Sequence, residues 1–267
     1  MKCFSSFEIG NFVLEPNRYV VCFNMLFSEA ALYVHGILAS LSKIFSDRKI
    51  PILSVKTSIS KSEKAIRLTL FADFTEHKNL LGEVENYIRS LKHVRDIKVI
   101  EPLFNGLTVD TSYDYLTFTG ERAIVLRKPL YEGLIKGVRE KFGELGKTFL
   151  YHVGFVLGQK AYESHNELIS KVCGSTKEAL LFAKEIFRQV GFGVIVTLKP
   201  DFSDKTAIVK VHSSFECELF KGSKTTESHF IRGIIAGFMS SLFKTKVNAS
   251  EIKCIAKGDP YCLFIVE

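Results

Sequence analysis

The sequence predicts an α+β protein of two domains, and three observations support this prediction. The chain has 267 residues, enough for one large hydrophobic core or two of ordinary size. Apolar residues recur with both strand and helix periods in each half of the chain. Between the halves, residues 101–117 contain Pro102, Gly106 and two aspartates and have no sustained helical stripe. The predicted domains are therefore 1–115 and 116–267.

The first half alternates between the periods of strands and helices. Strands are predicted at 18–26, 51–59, 65–74 and 96–100. An amphipathic helix capped by Ser28 follows the first strand, and a second carries an apolar stripe from Leu80 to Val94. This β-α-β-β-α-β order within about 85 residues is typical of a ferredoxin-like sandwich.

In length and element order, this half resembles the ACT-type regulatory domains, which often bind amino acids at a dimer interface. Such domains usually carry a glycine in the turn after the first strand. Here that turn, residues 27–30, reads Phe-Ser-Glu-Ala. The resemblance implies a module that pairs two chains by extending a sheet, and therefore a homodimer. Whether it also binds an amino acid stays open.

The second half predicts helices packed on an antiparallel sheet. Helical apolar spacing runs from Leu130 to Leu145 and again from Leu150 to Ala161. A capping box at 175–178, Ser-Thr-Lys-Glu, opens a helix that ends at Gly191. A last helix begins at Ser228. The predicted strands are 194–198, 206–211, 215–220, 252–256 and 261–266.

Composition limits the compartment and the partners. The net charge is +7, but the lysines are scattered singly and no DNA-reading motif is visible, so a solvated basic surface is favoured over nucleic-acid binding. No apolar run reaches the roughly 18 residues that span a bilayer. The N-terminus lacks the apolar core of a signal peptide. A cytoplasmic protein with reduced thiols is predicted, in which Cys3, Cys22 and Cys173 stand alone.

An acidic residue and two cysteines near the C-terminus form a metal-binding pattern. Glu251, Cys254 and Cys262 offer a carboxylate and two thiolates, which are ligands that zinc accepts. Glu251 and Cys254 would point to opposite faces of a regular strand, so a shared site needs a bulge or a strand end between them. A bound zinc ion, two buried thiols without metal and a redox pair remain alternatives. Cys217, on the predicted strand 215–220, is interpreted as a core residue between two outward-facing acids.

Residues from about 119 to 267 resemble the 4-vinyl reductase domain, also called the hydrocarbon-binding domain. The segments that carry the resemblance are 151–158 (YHVGFVLG), 232–238 (RGIIAGF) and 251–264, which contains the acidic residue and both cysteines. The family includes sensory domains of bacterial phenol-responsive transcription activators and proteins of bacteriochlorophyll synthesis. In the phenol sensors, zinc is held by a glutamate and two cysteines at this spacing and by an earlier cysteine. The resemblance thus implies Glu251, Cys254 and Cys262 as ligands. The fourth position falls on Ser228, and the neighbouring His229 offers an imidazole.

Candidates for a ligand pocket lie on the predicted helix that contains Gly154 and Gly158. Glycines four apart let another element, or a ligand, approach the backbone, and His152 could donate a hydrogen bond. No nucleophile-base-acid trio, phosphate-binding glycine loop or dinucleotide fingerprint is visible. We therefore predict a non-catalytic ligand-sensing protein that binds a small hydrophobic or aromatic molecule and signals through a partner protein. The alternatives are a vinyl-group reductase of tetrapyrrole-type metabolism and a ligand-free protein–protein adaptor.

Overall fold

The computed structural model describes residues 6–60, 64–170 and 174–267. Cys3 and Cys173, two of the thiols predicted to stand alone, lie outside the described residues. The chain divides into two compact units, Met1–Ile124 and Val125–Glu267. The division therefore falls after Ile124, whereas the sequence pattern placed it after residue 115.

The N-terminal unit is built on a four-stranded antiparallel sheet in the order β3-β4-β2-β5. One face of the sheet packs against α1 and α2 through residues such as Phe23, Phe45 and Ile88, all fully buried. The opposite face meets the short β1–β6 ribbon around Cys22 and Phe71. The elements are β1 (Phe12–Leu14), β2 (Val20–Ser28), α1 (Ile37–Asp47), β3 (Ile52–Ser60), β4 (Ala65–Asp73), α2 (Leu81–Ser90), β5 (Val94–Ile100) and β6 (Leu107–Val109).

Buried polar contacts explain why the predicted linker belongs to this unit. The side-chain amide of Asn24 donates hydrogen bonds to Thr69 Oγ1 (3.0 Å) and to Asp110 Oδ2 (2.9 Å). Thr108 Oγ1 donates to the carbonyl oxygen of Val20 at 2.5 Å. Because buried polar groups are costly to leave unpaired, these bonds hold the segment after β5 on the sheet.

The C-terminal unit packs helices on a second antiparallel sheet, with strand order β11-β12-β10-β9. A small hairpin of β7 (Leu116–Phe118) and β8 (Glu121–Ala123) precedes it in the chain. The first helix is interrupted at Gly143, whose backbone is not helical (φ 54°, ψ −128°). Its elements are α3 (Lys128–Ile169), α4 (Thr176–Gln189), β9 (Val194–Asp201), β10 (Thr206–His212), α5 (Phe215–Glu218), α6 (Phe230–Phe243), β11 (Ala249–Lys253) and β12 (Cys262–Val266).

Four glycines bring α3 and α6 into backbone contact. A Cβ atom added to Gly154 would lie 2.2 Å from the carbonyl oxygen of Phe230, and one added to Gly237 would lie 1.9 Å from that of Phe155. Gly158 and Gly233 face the opposite helix in the same way. The glycine pair of the sequence is thus used for close helix packing.

Local signals predicted most of the C-terminal elements. The Ser175 side chain caps α4 by accepting a hydrogen bond from the Glu178 backbone, and the β9–β10 hairpin is antiparallel, so both predictions are confirmed. The strand predicted at 215–220 is wrong. Ser213 has a positive φ of 51°, which ends β10, and the chain then forms the single helical turn α5. None of the described helices is both long enough and apolar enough to cross a membrane.

Candidate metal centre and apolar cavity

Four side chains with metal-binding atoms converge beside the start of α6. The sulfur atoms of Cys217, Cys254 and Cys262 and a carboxylate oxygen of Glu251 all lie within 4.8 Å of one another. The three cysteines are fully buried, and Glu251 is partly buried. The group could hold a metal ion.

Irregular backbone places Glu251, Cys254 and Cys262 on one side of the sheet. The β11–β12 register shifts between Glu251 and Lys253, and β11 ends before Cys254. This is the strand end that the spacing of Glu251 and Cys254 required. The loop then turns through Gly258, which has a positive φ of 95°, and Asp259 Oδ2 accepts a hydrogen bond from the Cys254 backbone at 2.8 Å. Cys262 is the first residue of β12 and therefore returns beside Cys254.

The distances and the donor set both fit zinc. Cys217 Sγ lies 3.4 Å from Cys254 Sγ and 3.5 Å from Cys262 Sγ. Sulfurs bound to one tetrahedral zinc ion, with Zn–S bonds of about 2.3 Å, are separated by about 3.8 Å. Glu251 Oε1 lies 3.7 Å from Cys217 Sγ and supplies the fourth donor. Shifts of a few tenths of an ångström would complete a tetrahedral site of three sulfurs and one oxygen.

The surroundings of the group stabilise negative charge. Hydrogen bonds from Cys217 and Cys262 hold the pKa of Cys254 well below that of an ordinary thiol, which favours a thiolate there. Burial raises the pKa of Glu251 to about 7. The positive end of α6 points toward the group, and the Ser228 backbone donates to Glu251 Oε2 at 3.0 Å. A divalent cation would bind most directly to this thiolate and this carboxylate.

Ser228 and His229, the two sequence candidates for a fourth ligand, take other positions. The Ser228 hydroxyl lies 2.8 Å from Cys217 Sγ and shares a hydrogen bond with it, so it contacts a ligand instead of replacing one. His229 is not in the group of four. Burial lowers its pKa to about 4, and its Nε2 atom is buried with no hydrogen-bond partner among the described residues. Cys217 was interpreted as core, because nothing in its local sequence links it to a cysteine 37 positions away.

A separate apolar cavity of about 260 Å³ lies between α3, α4, α6 and the sheet. Its walls are aliphatic and aromatic, including Phe187, Phe192 and Phe238. The polar exception is His165, which also lines a second depression of about 350 Å³ near the start of α4. The Nδ1 atom of His165 is buried and has no hydrogen-bond partner within the described parts of the chain, and burial lowers the pKa of this imidazole.

The pocket candidates from the sequence lie elsewhere on α3. His152 is exposed and lines neither depression. Gly154 and Gly158 face the α6 backbone, because only residues without a Cβ atom fit at that contact. Leu157, Ala161 and His165, on a neighbouring face of the helix, line the cavity instead. Of these residues, the sequence analysis noted Leu157 and Ala161 only as helix positions and missed His165.

Residues 207–267 match the profile of the 4-vinyl reductase domain. The chain contains a 4-vinyl reductase domain. The matched stretch includes β10, α6 and the entire group of four metal-binding residues. The resemblance predicted from the terminal block is confirmed here, whereas the ACT-like character of the first half stays a prediction.

Relatives and solved structures resemble part of the chain. Two uncharacterized proteins of Methanocaldococcus jannaschii, MJ0150 and MJ0745, are 31% identical over 121 residues and 37% identical over 140 residues. These matches cover 45% and 52% of this chain, which spans 64% and 66% of the relatives' lengths, just under two thirds. The phenol-responsive sensory domain of the transcription activator PoxR aligns with a TM-score of 0.48 at 18% identity, covering 55% of this chain and 77% of that one. A vinyl-4-reductase family protein from M. jannaschii aligns with a TM-score of 0.37 at 23% identity, covering 54% and 83%.

Proposed function

We propose that the 4-vinyl reductase unit is a non-catalytic sensor that binds a small, mainly apolar molecule in the cavity between α3, α4, α6 and the sheet. The cavity itself carries the proposal. It opens among side chains that are apolar except at His165, as expected of a small-molecule site. A filled core would have left no such space, because protein interiors are packed about as densely as organic crystals.

The size and polarity of the cavity suggest the class of ligand. An apolar cavity of about 150 Å³ binds benzene, so a volume of about 260 Å³ suits one or two aromatic rings or a short branched chain. A tetrapyrrole has four rings and is too large for it, which favours a sensor over a tetrapyrrole reductase. The unpartnered Nδ1 of His165 would gain a hydrogen bond from a ligand hydroxyl, so a phenol or naphthol should bind better than its parent hydrocarbon.

Calorimetric titration of the full chain with 2-naphthol and naphthalene tests this assignment. Ala183→Phe places a ring in the cavity and should abolish binding, because Ala183 is buried and lines the cavity. Leu181→Phe, on the same helix but 56% exposed, is the matched control and should bind normally. His165→Phe should remove the preference for naphthol. Equal binding by the two phenylalanine variants of α4 would refute the cavity as the site.

Zinc bound by Cys217, Glu251, Cys254 and Cys262 is part of the same proposal, with a structural role. The ligands come from α5, β11, the following loop and β12, so one ion would join segments that are distant in the sequence. Metal analysis of untagged protein should find one zinc per chain. The Cys262→Ser variant should lose it, and Cys22→Ser, a buried thiol of the other unit, should keep it. Full zinc content in Cys262→Ser would refute this site.

The N-terminal unit is proposed to be an ACT-like module that pairs two chains and passes the signal to a partner protein. Support comes from β3, which lies at the end of the described sheet and has no further strand beside it there. It carries Val55 and Ile59 at 44% and 61% exposure, and an apolar free edge is a template for pairing. Ile59→Lys should convert a dimer to a monomer in light scattering, while Phe104→Lys, similarly exposed on the same unit, should not. A dimer that survives Ile59→Lys would exclude this edge.

A further inference from the structure

We propose that Glu216 is a positioning residue that joins the metal centre to the wall of the cavity, so that metal occupancy sets the affinity for the ligand. The inference rests on the proposed function, because it concerns the regulation of the same cavity. Glu216 is not among the four metal-binding residues, but it precedes one of them, Cys217, within the single turn α5.

Glu216 holds the start of α6 with both of its carboxylate oxygens. The residue is fully buried, with 0% exposure. Its Oε1 accepts hydrogen bonds from the backbone N–H groups of His229 and Phe230, both at 2.9 Å, and its Oε2 accepts from Ile231 at 2.8 Å. Helix N-terminal N–H groups have no partner within the helix, so one carboxylate supplies three that α6 cannot supply itself.

The metal centre holds the preceding residue in the same way. The Ser228 N–H donates to Glu251 Oε2, and the Ser228 hydroxyl contacts Cys217 Sγ. Four consecutive N–H groups, those of residues 228–231, thus bind two carboxylates. One carboxylate belongs to a metal-binding residue, and the other belongs to the chain neighbour of one. An ion that fixes Cys217 relative to Glu251 also fixes the start of α6.

The next two turns of α6 form part of the cavity wall. Ile234, Ile235, Phe238 and Met239 line the cavity. Gly233 and Gly237 alternate with them along the helix and touch the α3 backbone, which carries Leu157 and His165 on the other side of the cavity. Because this contact is between backbones, side-chain rotation cannot absorb a shift at the start of α6. The shift would change the shape of the cavity.

The test compares Glu216→Gln with Glu218→Gln. Both substitutions remove one negative charge from α5 beside Cys217, but Glu218 is exposed and bonds to no α6 amide in the described structure. Glutamine has one accepting oxygen and cannot hold three N–H groups. The dissociation constant of the neutral fluorescent probe N-phenyl-1-naphthylamine is measured for zinc-loaded protein and again after chelation.

In the parent protein and in Glu218→Gln, chelation should weaken probe binding by about fivefold or more, the range of ordinary allosteric coupling. By reciprocity, the probe should tighten zinc binding by the same factor. Glu216→Gln should still bind zinc, and its probe affinity should change by less than about twofold on chelation. The same zinc dependence in both variants, or none in the parent protein, would overturn the inference.

Amide hydrogen exchange separates this inference from the proposed function. Zinc removal from the parent protein should speed exchange at residues 234–239 and leave β2 and β4 of the other unit unchanged. If the probe binds to no form of the protein, the proposed function fails and the exchange data alone decide the coupling. If Glu216→Gln does not fold, the parent protein decides it, and α6 exchange that is insensitive to zinc refutes the inference.

Discussion

The contact between α3 and α6 predicts that Gly237→Ala destabilises the 4-vinyl reductase unit, although alanine is the better helix former. The added Cβ atom would lie 1.9 Å from the carbonyl oxygen of Phe155 and 2.7 Å from its carbonyl carbon. Carbon–oxygen contacts of this kind are normally about 3.3 Å or longer, so the helices must separate by about 1.4 Å. A gap of that size forfeits much of the dispersion energy across the contact.

Overpacking typically costs about 1–3 kcal/mol, and the upper value applies here because the obstacle is backbone. The gain in helix propensity offsets about 1 kcal/mol. The net loss in the free energy of unfolding is therefore about 2 kcal/mol, and Gly233→Ala provides the control. Gly233 is itself at the contact, with Tyr151 O only 2.1 Å from an added Cβ, so the two substitutions should destabilise alike.

Gly133→Ala on α3 supplies the opposite sign. Nothing lies within 4 Å of its added Cβ atom, so helix propensity should raise the stability by about 1 kcal/mol. Unfolding is followed by denaturant-dependent labelling of Cys217, Cys254 and Cys262, whose burial makes them specific reporters of this unit. Gly237→Ala as stable as Gly133→Ala would refute the backbone contact.

Three further predictions concern the same unit. Cys217→Ser should weaken zinc binding by at least about 100-fold, and adding Ser228→Cys should restore most of it, because the two side chains touch; titration against a competing chelator measures both, and no restoration would contradict the geometry. Arg139→Leu should cost about 3–5 kcal/mol in denaturant unfolding, because it leaves the buried carboxylate of Glu227 unpaired, and Arg139→Leu with Glu227→Leu should recover most of the loss. The folded pKa of His165 lies below its unfolded value, so the unfolded chain takes up a proton first and stability should fall as pH drops below about 6.5; the parent and His165→Phe unfolding curves should diverge there, and parallel curves would contradict this.

Local sequence patterns predicted the elements that depend on near neighbours. The capping box at Ser175 and the β9–β10 hairpin are signals of a few residues, and both are present. The short run at 215–220 was misassigned because six residues of alternating polarity do not distinguish a strand from one helical turn. The positive φ of Ser213, which ends β10, leaves no clear mark in the sequence.

The sequence by itself determined three of the four residues of the metal centre. Glu251, Cys254 and Cys262 lie within twelve positions, and their odd spacing already required the irregular strand that the structure has. The same block also identified the domain to which it belongs.

Only the tertiary structure decided the fourth residue and the cavity. Cys217 reaches the group because the chain turns out of β10 into α5, and His165 reaches the cavity because the glycines of α3 face α6. Both depend on segments far apart in the chain that pack against each other. Spacing in a sequence records which side chains share a strand or a helix face, whereas packing between elements decides which faces meet.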